Sequence, residues 1–152
     1  MKKRRETMIG NLEDFGKHIY DQMNGGEFPW VRMVSRSTAN IHYDTALRQY
    51  VLGKRSTRRS ARNIRHIRPF SQLVWVADFA RDLCRKNKTS TLRDVYYSAQ
   101  AYDMSFKDQQ ESDSIITDLE TVVSGAREDF HVFPEERSAI FGDLTIEYTI
   151  PG

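Results

Sequence analysis

Cysteine is nearly absent from this sequence: Cys84 stands alone among 152 residues, so no intramolecular disulfide can form. On a helical pattern such a residue reads as a small buried apolar side chain, and a reducing compartment fits. Long apolar runs are missing too. Nothing approaches the roughly 20 residues of a membrane span, and the basic start MKKRRE is never followed by a signal-peptide core, because Asn11, Glu13 and Asp14 interrupt it. The expectation is a cytoplasmic protein without membrane contact. The four histidines, at 18, 42, 66 and 131, show no metal-ligand spacing, and neither CxxC nor HExxH occurs. No zinc is expected. Finally, no acidic residue lies between Asp44 and Asp78.

What is present is ordinary in amount and uneven in placement. Charged residues make up 29% and hydrophobic residues 39%, a globular composition, and the length suits one domain. The net charge of +2 conceals a dipole. Residues 1–100 hold 20 Lys/Arg against 9 Asp/Glu, a net +11, while residues 101–152 hold 3 against 12, a net −9. Such asymmetry suggests a polyanion facing the first part and a basic neighbour or solvent facing the second. The basic excess peaks in KRSTRRSARNIRHIR, residues 54–68, with Lys54, Arg55, Arg58, Arg59, Arg62, Arg65 and Arg68 interleaved with Ser and Thr. Guanidinium and hydroxyl donors mixed in this way suit a phosphate backbone contacted without sequence preference, although a solvated basic loop would have the same composition.

Periodicity supplies the elements. Met8, Leu12, Phe15, Ile19 and Met23 fall at helical spacing within residues 7–23, and Asn24-Gly25-Gly26 ends the run. That apolar face calls for either the core of this domain or a second protein. FPWVRMV (28–34), ANIHY (39–43) and QYVLG (49–53) read as short strands of a small sheet or meander. Pro69 then opens a core helix whose apolar face comprises Leu73, Val76, Ala77, Ala80, Leu83 and Cys84. Residues 100–110 read as a polar connection. A further helix begins with Ser112 or Asp113 as its cap, stops at Gly125, and buries Ile115, Ile116, Leu119, Val122 and Val123. After Pro134 the period changes: SAIF and LTIEYTI flank Gly142-Asp143, a hairpin signal.

Between the two core helices lies TLRDVYYSAQ, residues 91–100. Thr91 and Asp94 fit a capping box, which starts a helix at Leu92. Leu92, Val95, Tyr96 and Ala99 form its apolar stripe, so Tyr96 is a core residue. Tyr97 is turned about 100° away from that stripe, and Arg93 lies one turn behind it. A phenol is a weak nucleophile near its ordinary pKa of about 10, and a neighbouring guanidinium favours the phenolate and can hold a phosphate. Attack of tyrosine on a phosphodiester is the reaction that this pair suits. An exposed tyrosine beside a solvated arginine, with Asp94 only a cap, would give the same spacing. Two helices joined by the short NKTST turn, followed by a hairpin, make a helix-turn-helix with a wing. The acidity of the last third argues against that wing as the main phosphate contact.

The run from Ser90 to Tyr97 resembles the active-site segment of the A subunits of type IIB topoisomerases, topoisomerase VI, and of the related meiotic double-strand-break transesterases. SRSTANIHYD (35–44), YVLGKRSTRRSARNIRHIRPFSQ (50–72) and FPEERSAIFGDLTIEYTIPG (133–152) resemble the same archaeal sequences in the same order. The resemblance implies an α+β fold: a CAP-like winged-helix domain at 69–152, preceded by an N-terminal helix, a small β-meander and a basic linker over 1–68. It implies Tyr97 as nucleophile, Arg93 as its partner, and Asp94 as an acid that either orients Arg93 or caps the helix. Also implied are double-stranded DNA as substrate, an A-subunit homodimer within a heterotetramer, and a B subunit that binds ATP and is approached by the N-terminal helix. Mg2+ would be held by a Toprim domain, whose carboxylate set this sequence lacks. The expectation is therefore a nucleoid-associated fragment of a longer A subunit, in preference to an A subunit whose remaining part is a separate chain, and in either case inactive on its own. The alternative is a winged-helix DNA-binding module without chemistry.

Overall fold

The computed structural model describes residues 2–135 and is a mixed helix and strand fold. The first helix, α1, covers Lys2–Asn24, starting earlier than its apolar period suggests. Met8, Leu12, Phe15 and Ile19 are buried, and α1 packs mainly on the second helix, so its apolar face is satisfied within the chain. Met23 departs from the expected stripe at 60% exposure. It belongs to the last turn, where the chain turns away: Glu27 N–H donates to Gln22 O at 2.9 Å, and Gly26 takes a φ of 78° that disfavours a side chain. The Gln22 side chain then receives the Trp30 N–H at 2.9 Å and ties the helix end to the first strand.

The strands do not form one meander. β1 (Trp30–Val34) pairs antiparallel with β4 (Ser56–Ser60), a strand not expected from the sequence, and β2 (Ile41–Asp44) pairs with β3 (Gln49–Leu52) as a hairpin inserted between them. Buried Asn40 joins the two ribbons. Its Nδ2 donates to Ser35 O at 2.6 Å, with Gly53 O and Arg55 O each at 3.2 Å, and its Oδ1 accepts from Arg55 N–H at 3.0 Å. One amide thereby satisfies the backbone groups that the change of ribbon leaves unpaired. Gly53 is required there, because a Cβ would stand 2.5 Å from Asn40 Oδ1.

The second helix, α2, runs from Ile64 to Lys86 with Asn63 as its cap. It starts before Pro69, which therefore lies inside the helix, and the expected boundary between 68 and 69 falls within α2. Proline is tolerated because Ile64–Arg68 are all exposed, so water can reach the carbonyl that loses its N–H partner. The turn after α2 contains a short strand, β5 (Ser90–Thr91), before α3 (Leu92–Gln100). The next helix, α4, spans Gln109–Val123 and is capped by Asp108, whose Oδ1 accepts from Glu111 N–H at 2.8 Å. This corrects the expected cap at Ser112 or Asp113: Ser112 is buried within the helix. Ser124, at φ 53°, ends α4, and Gly125 follows where the Met8 methyl of α1 packs, so that a Cβ there would require the flexible Met8 side chain to shift.

Helix α4 is central, packing on α2, α3 and β1, with Ile115, Ile116, Leu119 and Val123 buried. Cys84 lies in the same core as an apolar residue, its thiol pushed up to about 11 by burial, with Arg5 acting the other way. β6 (Val132–Phe133) pairs parallel with β5. The expected wing, with its Gly142-Asp143 turn, lies outside the described residues, as does the C-terminal Ile150-Pro151-Gly152. Among the described residues no helix is long and apolar enough to cross a membrane.

Candidate active site

The start of α3 is fixed by short-range bonds. Thr91 Oγ1 accepts from Asp94 N–H at 3.1 Å, and Asp94 Oδ2 accepts from Thr91 N–H at 3.2 Å, a complete capping box. Asp94 is thus engaged as a cap. Val95 and Ala99 are fully buried against the core, which sets the rotation of the helix. Tyr96 is half-buried at the edge of the core, and Tyr97 is 56% exposed. The two rings meet edge to face at 5.3 Å, so Tyr96 supports one side of the outward ring.

Arg93 lies on the exposed side of α3, but no hydrogen bond joins it to Tyr97. Its Nε instead lies 3.2 Å from Oε1 of Glu135. No local sequence signal announces this partner, which arrives through the parallel pairing of Ser90 with Val132 and Thr91 with Phe133. Near Glu135 on α4, burial raises the Asp113 carboxyl above its ordinary range; Arg127 and a Gln109 hydrogen bond oppose that shift, and Glu135 adds to it. Arg127 is held by Glu120 through Nε at 2.9 Å and Nη2 at 3.0 Å, which raises its pKa further.

The seven basic residues of 54–68 do not form one loop. They are divided between the turns on either side of β4, β4 itself and the first turns of α2. Arg59 points inward, its Nη1 2.6 Å from Oδ2 of buried Asp118 on α4, whose other oxygen Arg36 engages. Arg58 stacks on Trp30 with its guanidinium carbon 4.1 Å from the ring centroid. Arg68 reaches Ser105 O at 3.2 Å and Glu111 at 3.4 Å. Lys54, Arg55, Arg62 and Arg65 are exposed and carry no ion pair among the described residues. Arg32, which sequence reasoning passed over, stands directly across from Arg58. Its only signal is the alternation of β1, which buries Val31 and Met33 and turns Arg32 outward.

Tyr97 is thus an outward phenol one helical turn from a guanidinium, and basic side chains without an ion pair among the described residues flank β4 and stand at the start of α2. The family model described as type IIB DNA topoisomerase matches residues 68–132, from the early turns of α2 to the start of β6. Over that segment the chain is similar to the type IIB DNA topoisomerase family. Over most of its length it is also similar to several archaeal proteins named as the A subunits of type 2 DNA topoisomerase 6. That of Methanothermobacter thermautotrophicus is 40% identical over 144 residues, covering 94% of this chain and 41% of that protein. That of Halobacterium salinarum is 36% identical, covering 93% and 39%, and that of Archaeoglobus fulgidus is 32% identical, covering 96% and 41%. The chain therefore spans about two fifths of the length of these relatives.

Proposed function

We propose that this chain is the tyrosine-bearing, DNA-contacting part of a topoisomerase VI A subunit. One observation carries the reading: α3 turns Tyr97 outward, one turn from Arg93, inside the segment that matches the type IIB family. Tyr97 Oη gives up its proton and attacks a backbone phosphorus. The bond to the 3′ oxygen breaks, that oxygen leaves with a proton as a 3′ hydroxyl, and the 5′ phosphate stays linked to the tyrosine. Arg93 positions the phosphate and offsets charge gathering on it, and its positive charge favours the phenolate. Lys54, Arg55, Arg62 and Arg65 hold the duplex through its backbone, with an affinity that falls steeply with salt.

The remaining parts of the reaction belong to other portions of the assembly: a homodimer of A subunits, a B subunit that binds ATP, and Mg2+ on a Toprim domain. Among the described residues no group of three His, Cys, Asp or Glu side chains could hold a metal ion. The test is covalent capture in the completed enzyme with B subunit, Mg2+, ATP and supercoiled DNA. Protein linked to 5′ ends is expected for wild type and Tyr96→Phe and is lost in Tyr97→Phe. DNA binding without any adduct in wild type would leave a binding module in place of the transesterase.

A further inference from the structure

We propose that Glu135 is the positioning residue of Arg93, holding its guanidinium side-on so that the outer edge of that group is free to take a phosphate. The inference rests on the assignment of Arg93 and Tyr97 made above and extends it to a residue that neither the helix nor its spacing reveals.

The contact is made through Nε, at 3.2 Å from Glu135 Oε1. A guanidinium has two edges that can receive two acceptor oxygens, one formed by Nε with a terminal nitrogen and the other by the two terminal nitrogens. A carboxylate at Nε occupies the first and leaves the second. That free edge is the one a phosphate would grip with two parallel bonds. No other ion pair or hydrogen bond to the Arg93 side chain occurs among the described residues, and the side chain is 57% exposed, so this edge is open to an incoming ligand. Glu135 is the more enclosed partner at 30% exposed, and its Oε1 is shielded from solvent without an aligned hydrogen bond. Arg93 is the cation that offsets it.

The backbone sets both partners before they meet. Ser90 pairs with Val132 and Thr91 with Phe133, and two residues beyond Thr91 and Phe133 come Arg93 and Glu135. On one side the Thr91 capping box fixes the first turn of α3. On the other, Pro134 fixes its own φ between β6 and Glu135. Little freedom is left to be lost when the ion pair forms, and a phosphate-binding arginine held in place before its substrate arrives spares that ordering at the moment of reaction.

The test is a double-mutant cycle in the completed A subunit with B subunit, Mg2+ and ATP, reading the single-turnover rate of adduct formation and, separately, DNA affinity. Glu135→Gln is expected to slow adduct formation about 10- to 100-fold, as misplacement of a positioning group does, with DNA affinity unchanged. Glu135→Asp, which keeps the charge, is expected to recover part of that loss. In an Arg93→Lys background, Glu135→Gln is expected to add nothing, because a lysine has no second edge to present. Fully additive losses, or a wild-type rate in Glu135→Gln, would overturn the proposal. Tyr97→Phe in the same assay separates the two claims: an adduct surviving that change removes the tyrosine assignment, whereas an adduct lost there but insensitive to Glu135 removes only the positioning role.

Discussion

At the start of α3 Thr91 and Asp94 are held by each other, three positions apart, whereas the basic side chains between Lys54 and Arg68 that are held find their partners elsewhere in the chain. Thr91 and Asp94 close on each other; Arg59 crosses to Asp118, Arg68 to Glu111, and Arg58 back to Trp30. The same residue type therefore does two different things. Part of the basic run fastens β4 and α2 to α4, and the rest faces solvent with no ion pair among the described residues. A charge count over 54–68 overstates the surface available to DNA, and the tertiary partners decide which residues supply it.

That distinction can be broken by mutation. The largest effect is expected at Asp118, which is 5% exposed and serves two guanidinium groups: Asp118→Asn should cost about 3 kcal/mol in chemical denaturation, the usual consequence of removing one partner from a buried pair. A loss below about 0.5 kcal/mol, the range of ordinary surface changes, would place Arg59 back among the free basic residues. Asn40→Ala comes next at about 2 kcal/mol, since it strands several backbone groups between the two ribbons. Thr91→Ala should cost about 1 kcal/mol through the lost cap and, by loosening the first turn of α3, reduce adduct formation as well. Arg62→Ala should leave stability within about 0.5 kcal/mol while weakening DNA binding and lowering the slope of log affinity against log salt by about 1. If Arg59→Ala instead lowered the slope without lowering stability, the division would be wrong.

A smaller effect concerns pH. Burial raises the Asp113 carboxyl, so its contribution to stability is fully present below the ordinary carboxylate range and is lost as pH rises through the raised folded value. Asp113→Asn should therefore raise the melting temperature slightly at neutral pH and lose that advantage in acid. Melting curves at the two pH values check the sign.

Much of the fold was legible where the signal was local. The capping box placed the first residue of α3, and the stripe of Leu92, Val95, Tyr96 and Ala99 set its rotation well enough to tell Tyr96 from Tyr97. The apolar period of α1 correctly marked four buried residues and failed at Met23, where the chain leaves the core. Other features were illegible for a common reason. β4 reads as a basic loop because the elements it packs on, β1 and α2, are supplied by the rest of the chain, and the alternation that marks a strand is masked by Arg59, which is turned inward by Asp118 rather than by hydrophobicity. Pro69 suggested a helix start, yet Asn63 caps an exposed turn before it. Glu135 could not be tied to Arg93 without the pairing of β5 with β6, which two-residue strands do not announce.

The central claim is that α3 presents Tyr97, and neither of its neighbouring tyrosines, to DNA. Trapping the covalent complex in the completed enzyme, trimming the DNA to a short nucleotide, and cutting with trypsin after Arg93 and Lys107 yields one peptide, residues 94–107, that contains Tyr96, Tyr97 and Tyr102. Fragment-ion masses assign the nucleotide within it. The added mass is expected on Tyr97; a nucleotide on Tyr96 or Tyr102 would contradict the claim.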